Sequence, residues 1–264
     1  MQRTRREAVH ALLPDERQKL ILDQLMEHGR VLAADLAQEF GISEHTVRRH
    51  LCDLAEAGYC KRVYGGAIIT SPAIENASIR QHQAGGRKAH LAVAAASLVS
   101  AGQIILLDAG STNVAIAESL PDNWKLTVVT NCPAVCSRLL GRKGFEIILI
   151  GGRIGVRGGG SIGATALLQV QQIRADICFL GACAIDAIEG ISVFDAEEAE
   201  LKRAMVKSCA QIVVAMPTDK LTTIAPFFVA PASAADHLVV ESDTPAGRIR
   251  EYKKVCGNVL VANS

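Results

Sequence analysis

A chain of 264 residues with a formal net charge of +1 has room for one large or two ordinary domains, each able to bury its own core. The near-neutral total excludes neither nucleic acid nor a metabolite as partner, because a DNA-binding face needs local basic clustering and not a basic sum. The apolar run from Leu91 to Val99 is mostly alanine and too short to span a bilayer, so it reads as a helix in a soluble core. The basic start, Met1 to Arg6, leads into an apolar stretch that ends at Leu13, too short for a secretory signal. A cytoplasmic protein with no membrane partner is expected.

Three short helical patterns closed by glycine occupy residues 15 to 57. Ile21, Leu22 and Leu25 mark the first, which stops at Gly29; Leu32, Leu36 and Phe40 mark the second, which stops at Gly41. The third starts at Ser43, a good N-cap, and repeats Val47, Leu51 and Leu54 until Gly58. Connections this short pack three helices as one bundle. Tyr59 to Tyr64, then Gly65-Gly66, then Ala67 to Ile69 read as two strands about a glycine turn, a wing beside the bundle. The spacing thus predicts an α+β winged helix-turn-helix over residues 15–69.

With Val47, Leu51 and Leu54 turned to the core, His45, Thr46, Arg48, Arg49 and Cys52 lie on or beside the opposite face of the third helix. Arg bonds guanine O6 and N7 bidentately in the major groove. The Ser43 and Thr46 hydroxyls and the helix N-terminus suit phosphate contacts that fix register. Lys61 and Arg62 on the wing add charge for the DNA backbone. Arginines on a solvated helix face are commonplace, and it is their place in a helix-plus-wing frame that points to double-stranded DNA.

From Thr70 to Lys88 no apolar period is sustained, and we read a linker over residues 70–88. Beyond it, over residues 89–264, apolar runs alternate with helical patterns. Strands are expected at Ile104–Leu107, Leu126–Val129, Glu146–Ile150, Ile177–Leu180, Ile212–Ala215, Leu238–Val240 and Val259–Val261. Helices are expected around Val114–Leu120, Ala134–Leu140, Ala164–Ile173, Glu197–Ser208 and Ala246–Val255. Continuous apolar strands separated by helices are what a parallel sheet covered on both faces requires, so this region is α/β and Rossmann-like.

Asp108-Ala109-Gly110-Ser111-Thr112 follows a strand and opens a helix, where free N–H groups, hydroxyls and the positive dipole end favour an anion such as phosphate. Thr130-Asn131 and Gly151-Gly152 also sit just beyond strand ends, where ligands of parallel sheets lodge, and Lys220 offers a cation. Ser-Thr at a helix start also serves as a plain cap, Gly-Gly as a plain turn, and Glu197, Glu198 and Lys202 as a solvated helix face. The stretch Gly158 to Gly163 satisfies Gly-x-Gly-x-x-Gly, but Gly151 to Arg157 separates it from its strand, so a flexible Arg-bearing loop is expected there and no dinucleotide cofactor. None of the eight cysteines forms Cys-x-x-Cys or a zinc-ligand spacing with His; buried thiols and no metal are expected.

The stretch VLAADLAQEFGISEHTVRRHLCDLAEAGYCKRVYGGA, residues 31 to 67, resembles the DeoR family of bacterial regulators. Its marks are Leu36-Ala37, Phe40-Gly41-Ile42-Ser43, Thr46-Val47-Arg48-Arg49, Leu54, Gly58 and Gly65-Gly66-Ala67. Two positions depart: the family usually has Asp at His50 and His at Tyr64. The resemblance continues through Arg80, Lys88, Leu107 to Thr112, Thr130-Asn131, Gly151-Gly152, Gly163, Asp186, Glu197-Glu198-Ala199, Lys202 and Lys220. It implies a sensor domain similar in fold to ribose phosphate isomerase that binds phosphorylated sugars or related metabolites. By the same resemblance Asp186 and Glu197 join Asp108, Ser111, Thr112, Thr130, Asn131, Gly151, Gly152 and Lys220 as effector-site residues.

The expected function is a homo-oligomeric DNA-binding regulator, a repressor of a sugar or polyol catabolic operon released by a phosphorylated sugar. The alternative is a sugar-phosphate isomerase-like enzyme with an appended DNA-binding domain, using Asp186, Glu197 and Lys220 as an acid–base set. Against it stands residues 181 to 186, which offer a single acid.

Overall fold

The computed structural model describes residues 14–70, 85–156 and 158–263. They divide into two compact units, one holding the described residues up to Thr70 together with Thr222–Ile224 and the other holding the rest.

In the N-terminal unit α1 (Pro14–His28) leads into β1 (Arg30–Leu32), α2 (Ala33–Phe40) and α3 (Glu44–Glu56), followed by β2 (Cys60–Val63) and β3 (Gly66–Ile69). Gly41 ends α2 in the left-handed region at φ +66°, and Ser43 caps α3 by accepting the Thr46 N–H at 3.1 Å. Those two caps confine the turn between the helices to three residues. Ile21, Leu25, Leu36, Phe40, Val47, Leu51 and Leu54, read as core from their spacing, are all buried.

Leu32 departs from that reading. It lies in β1 and is 48% exposed, while Val31 and Ala33 beside it are buried. Three residues between Gly29 and the next helix suffice for a strand because β1 pairs antiparallel with β3, giving the sheet order β1-β3-β2. The wing turn is Tyr64-Gly65, not Gly65-Gly66, since Val63 pairs with Gly66. Gly66 serves the sheet instead: a Cβ there would stand 2.0 Å from the Val31 carbonyl oxygen.

In the C-terminal unit α4 (Gly85–Ala96) contains Gly85 to Lys88, which the sequence pattern assigned to the linker; the linker's residues 71–84 lie outside the described residues. There follow β4 (Ile104–Leu107), α5 (Ser111–Ser119), β5 (Leu126–Thr130), α6 (Pro133–Leu139) and β6 (Phe145–Leu149). A hairpin, β7 (Arg153–Ile154) with β8 (Ser161–Ile162), precedes α7 (Ala164–Gln171) and β9 (Ala175–Phe179). Then come β10 (Ala184–Asp186), β11 (Gly190–Val193), α8 (Ala196–Ser208), β12 (Cys209–Met216) and β13 (Phe227–Ala230). The chain closes with β14 (His237–Val240), α9 (Ala246–Tyr252) and β15 (Asn258–Val261).

Seven strands form one sheet in the order β15-β14-β12-β9-β4-β5-β6, every neighbouring pair parallel. All seven are strands expected from the apolar runs. Alternation divides the core: Ile105 and Leu107 pack with residues of α4, α5 and α6, whereas Leu106 packs with residues of α7, α8 and α9. From β4 the chain runs outward through β5 to β6, then returns to β9 on the other side of β4 and runs outward through β12 and β14 to β15. The junction of β4 and β9 is therefore the sheet's topological switch point, the place where such folds hold ligands. Strands β10, β11 and β13 form a separate antiparallel sheet. The cysteines are free thiols, Cys60, Cys132, Cys178 and Cys256 buried and the other four half-buried. Among the described residues no helix is long and apolar enough to cross a membrane.

Candidate DNA interface and effector site

The helix-turn-helix presents α3 by burying Val47, Leu51 and Leu54, which leaves His45, Arg48 and Arg49 exposed on the other face. Ser43 and Thr46 share a hydroxyl hydrogen bond of 2.9 Å at the helix start. Arg48 forms an i, i+4 ion pair with Glu44 at 2.8 Å, an arrangement that holds its guanidinium along the helix surface. On the wing Lys61 is exposed, and Arg62 donates from Nη1 to Cys52 Sγ at 3.0 Å, tying β2 to α3. All seven residues expected at DNA thus lie on α3, its cap or the neighbouring strand.

Cys52 beside that face is half-buried, and His50 is in the core, 6% exposed, with neither ring nitrogen hydrogen-bonded. Burial pushes its pKa down; Arg17 of α1 and Arg49 push the same way, against Asp53.

In the C-terminal unit two adjoining recesses open beyond the C-terminal ends of β4, β5, β9 and β12. The wider, of about 180 Å³, is lined by Asp108, Ala109, Asn131, Arg153, Asp195, Glu198 and the hairpin loop around Val156 and Gly158. The narrower is lined by Ser111, Thr112, Asn113, Gly181, Cys183, Glu198 and Lys220. Ala109, Gly158 and Glu198 border both.

Asp108 anchors the junction. Its Oδ1 accepts the Ala109 N–H at 2.7 Å and its Oδ2 the Gly181 N–H at 2.9 Å, so one carboxylate bridges the ends of β4 and β9. Lys202 from the middle of α8 donates to the same Oδ2 and to Glu198 Oε1 at 3.2 Å. Both Lys202 and Asp108 are 1% exposed. Burial alone draws the lysine pKa down, but the Asp108 and Glu198 carboxylates outweigh it and the net shift is upward, so the ammonium stays charged. Asn113 Nδ2 donates to the carbonyls of Asp108 and Phe179, stitching the same strand ends. Burial raises the pKa of the Cys183 thiol.

The structure brings together Asp108, Ser111, Thr112, Asn131 and Lys220 from the expected set. Thr130 stands behind them: its hydroxyl donates to the Leu107 carbonyl at 2.6 Å and accepts the Cys132 N–H at 3.0 Å. Gly151 donates to Gln169, and Gly152, at φ +147°, packs against Ile162; neither is among the residues lining these two recesses. Asp186 is the buried last residue of β10, and its Oδ1 accepts the N–H groups of Ile188 and Glu189 in the turn that follows. Glu197 forms a half-exposed ion pair with Arg153, while its neighbour Glu198 faces the cavity.

Glu198 and Lys202 are therefore not a solvated pair. The signal was present: Ala199, Lys202 and Met205 recur at helical spacing on the buried face of α8, and a lysine there requires a buried acid. In the glycine-rich stretch after β7, Gly158 and Gly160 wall the wide recess, Ser161–Ile162 is a strand, and Gly163 caps α7; Arg157 lies outside the described residues.

Comparison with known proteins assigns both units. Residues 17–73 match the DeoR-like helix-turn-helix domain and residues 83–242 the DeoR C terminal sensor domain. The HTH-type transcriptional regulator FruR of Bacillus subtilis is 33% identical over 249 residues, covering 92% of this chain and 96% of that protein. The glycerol-3-phosphate regulon repressor of Escherichia coli K12 is 29% identical over 231 residues, 87% of this chain and 92% of that protein. Among solved structures, ribose 5-phosphate isomerase A of Methanocaldococcus jannaschii aligns over 51% of this chain and 53% of its own, with TM-score 0.36 and 15% identity. A DNA-binding helix-turn-helix joined to a sensor domain, matched over most of the chain, places this protein in the DeoR family of transcriptional regulators.

Proposed function

We propose that the protein is a homo-oligomeric repressor of a sugar or polyol catabolic operon, released when a phosphorylated sugar binds at the β4–β9 switch point. The observation that carries the reading is the convergence of an anion-binding set on one recess: Ser111 and Thr112 at the start of α5 and Lys220 line it together. A relative named as a glycerol-3-phosphate regulon repressor supports both halves of it. Ser43, His45, Thr46, Arg48, Arg49, Lys61 and Arg62 form the operator-contacting face, and the protein acts in the cytoplasm.

It acts without turnover. The isomerase reading takes Asp186, Glu197 and Lys220 as its acid–base set, whereas Asp186 accepts the N–H groups of Ile188 and Glu189, Glu197 pairs with Arg153, and neither acid lines the two recesses. The test is a gel shift with the operator next to the protein's own gene, titrated with phosphorylated sugars. Release by at least one of them is expected, and retention under every one overturns the reading. Conversion of any sugar phosphate by the purified protein overturns the claim that it does not catalyse.

A further inference from the structure

The central sheet ends at β6 on an open, apolar edge, and its pattern fits a second copy of this chain; this rests on the homo-oligomeric reading. Among the described residues β6 pairs with β5 alone. The Gly144 carbonyl accepts the Leu126 N–H at 2.9 Å, and the Ile150 N–H donates to the Thr130 carbonyl at 2.7 Å. Bonding directions alternate along a strand, so Phe145, Ile147 and Leu149 turn their N–H and C=O groups to the open side.

The helix layers stop short of this strand. Val129 of β5 is 1% exposed, whereas Ile148, its register partner on the same face of the sheet, is 45% exposed. On the other face Thr130 is 0% exposed and its partner Leu149 46%. Exposed apolar surface continues beside the strand: Gly151 donates to Gln169 of α7, where Leu168 is exposed, and Ile154 is exposed on β7. Edge strands that stay alone commonly carry a lysine, a proline or a bulge that turns other strands away. β6 has none of these, and its one charge, Glu146, is drawn back to β5, accepting from the Thr127 hydroxyl at 3.1 Å. At the opposite edge β15 exposes one apolar side chain, Val261.

The edge is complementary to itself. In an antiparallel pair about a two-fold axis, outward-turned residues must face outward-turned residues, and an axis at Ile147 is the register that engages all five residues of β6. Phe145 then lies opposite Leu149 of the second copy, and Glu146 opposite its Ile148. An axis one residue earlier would set Glu146 against its own twin, an unfavourable pair of like charges. Each chain also carries one reading helix, α3, and helix-turn-helix proteins read paired half-sites as dimers.

We infer that β6 is a homodimer interface: two copies pair antiparallel at this strand and join their sheets into one, with Ile147 on the two-fold axis and Ile148 and Leu149 covered.

Sedimentation velocity of the full chain tests this, with thermal unfolding to check that each variant is folded. Ile148→Glu places two glutamates opposite each other at both ends of the pair and is expected to halve the molar mass of the assembly. Adding Glu146→Lys to that variant turns both like pairs into opposite ones and should restore the mass of the unaltered chain. A folded double variant that stays dissociated overturns this register and the inference with it. If Ile148→Glu keeps the full mass, the inference fails and the homo-oligomeric reading stands. A monomeric unaltered chain overturns both. Should Ile148→Glu not fold, hydrogen exchange on the unaltered chain decides: the N–H groups of Phe145, Ile147 and Leu149 must exchange at least tenfold more slowly above the dissociation constant of the dimer than below it. Equal rates at both concentrations overturn the pairing.

Discussion

Two arginines adjacent in sequence are not equivalent on α3. Arg48 is held by Glu44 at 2.8 Å, so on binding DNA it must exchange one partner for another; Arg49 is exposed on the same turn and, among the described residues, forms no such ion pair. Arg49→Ala is expected to weaken operator binding about tenfold, near 1.4 kcal/mol and within the range of one bidentate base contact, and Arg48→Ala to cost less. Operator affinities of the two variants at fixed salt check the order. His50 makes a different prediction. Its pKa is depressed in the folded protein, so below the ordinary value of about 6.5 the unfolded chain binds the proton more readily than the folded one. The contribution of neutral His50 is fully present above that pH and is lost as pH falls beneath it. Arg17, whose charge acts on His50, has its Nε buried without a hydrogen-bond partner. His50→Asp supplies that partner and should stabilise the N-terminal unit by about 1–2 kcal/mol while removing the loss below pH 6.5. Denaturation of both proteins from pH 5 to 8 decides it, and parallel pH profiles would show that His50 is not the titrating group.

At the scale of elements, the central sheet was legible because its strands are buried on both faces and so appear as unbroken apolar runs such as Ile104 to Leu107. The N-terminal helices were legible from their spacing and from Gly41 and Ser43 at their ends. What escaped were elements too short to carry a period. β1 has three residues and exists through its pairing with β3, and β10 has three held by β11. The site shows the same division. Ser111, Thr112, Asn131 and Lys220 stand just past strand ends, a local feature, whereas Lys202 meets Asp108 across 94 residues of chain. No local pattern reveals which acid a buried lysine will find. Removing that lysine leaves Asp108 buried and charged, so Lys202→Met should destabilise the C-terminal unit by about 3–5 kcal/mol. Asp108→Asn in the same chain should restore part of the loss, because the uncompensated charge goes with it. Urea denaturation of the single and double variants measures both, and a double variant no more stable than Lys202→Met would mean that the lysine acts through packing alone.

For the whole molecule, repression that responds to a metabolite requires two states whose operator affinities differ, with the effector favouring the weaker binder. Linkage makes the effect reciprocal: if effector weakens operator binding by some factor, operator DNA weakens effector binding by the same factor, commonly about 5- to 150-fold. Lys220 lines the narrow recess and lies outside the helix-turn-helix, so Lys220→Ala should leave operator affinity in the absence of effector unchanged. It should raise the effector concentration needed for half-release at least tenfold, the scale of one lost charge-assisted contact to phosphate. At saturating effector the final release should match that of the unaltered protein, because a phosphate contact made equally in both states changes effector affinity without changing its preference between them. A fluorescence-anisotropy titration of labelled operator against effector separates the outcomes. A shifted midpoint with an unchanged plateau supports a phosphate contact at Lys220. A lowered plateau at an unchanged midpoint would instead place this lysine in the transition between states, and lost operator binding without effector would place it in the stability of the fold.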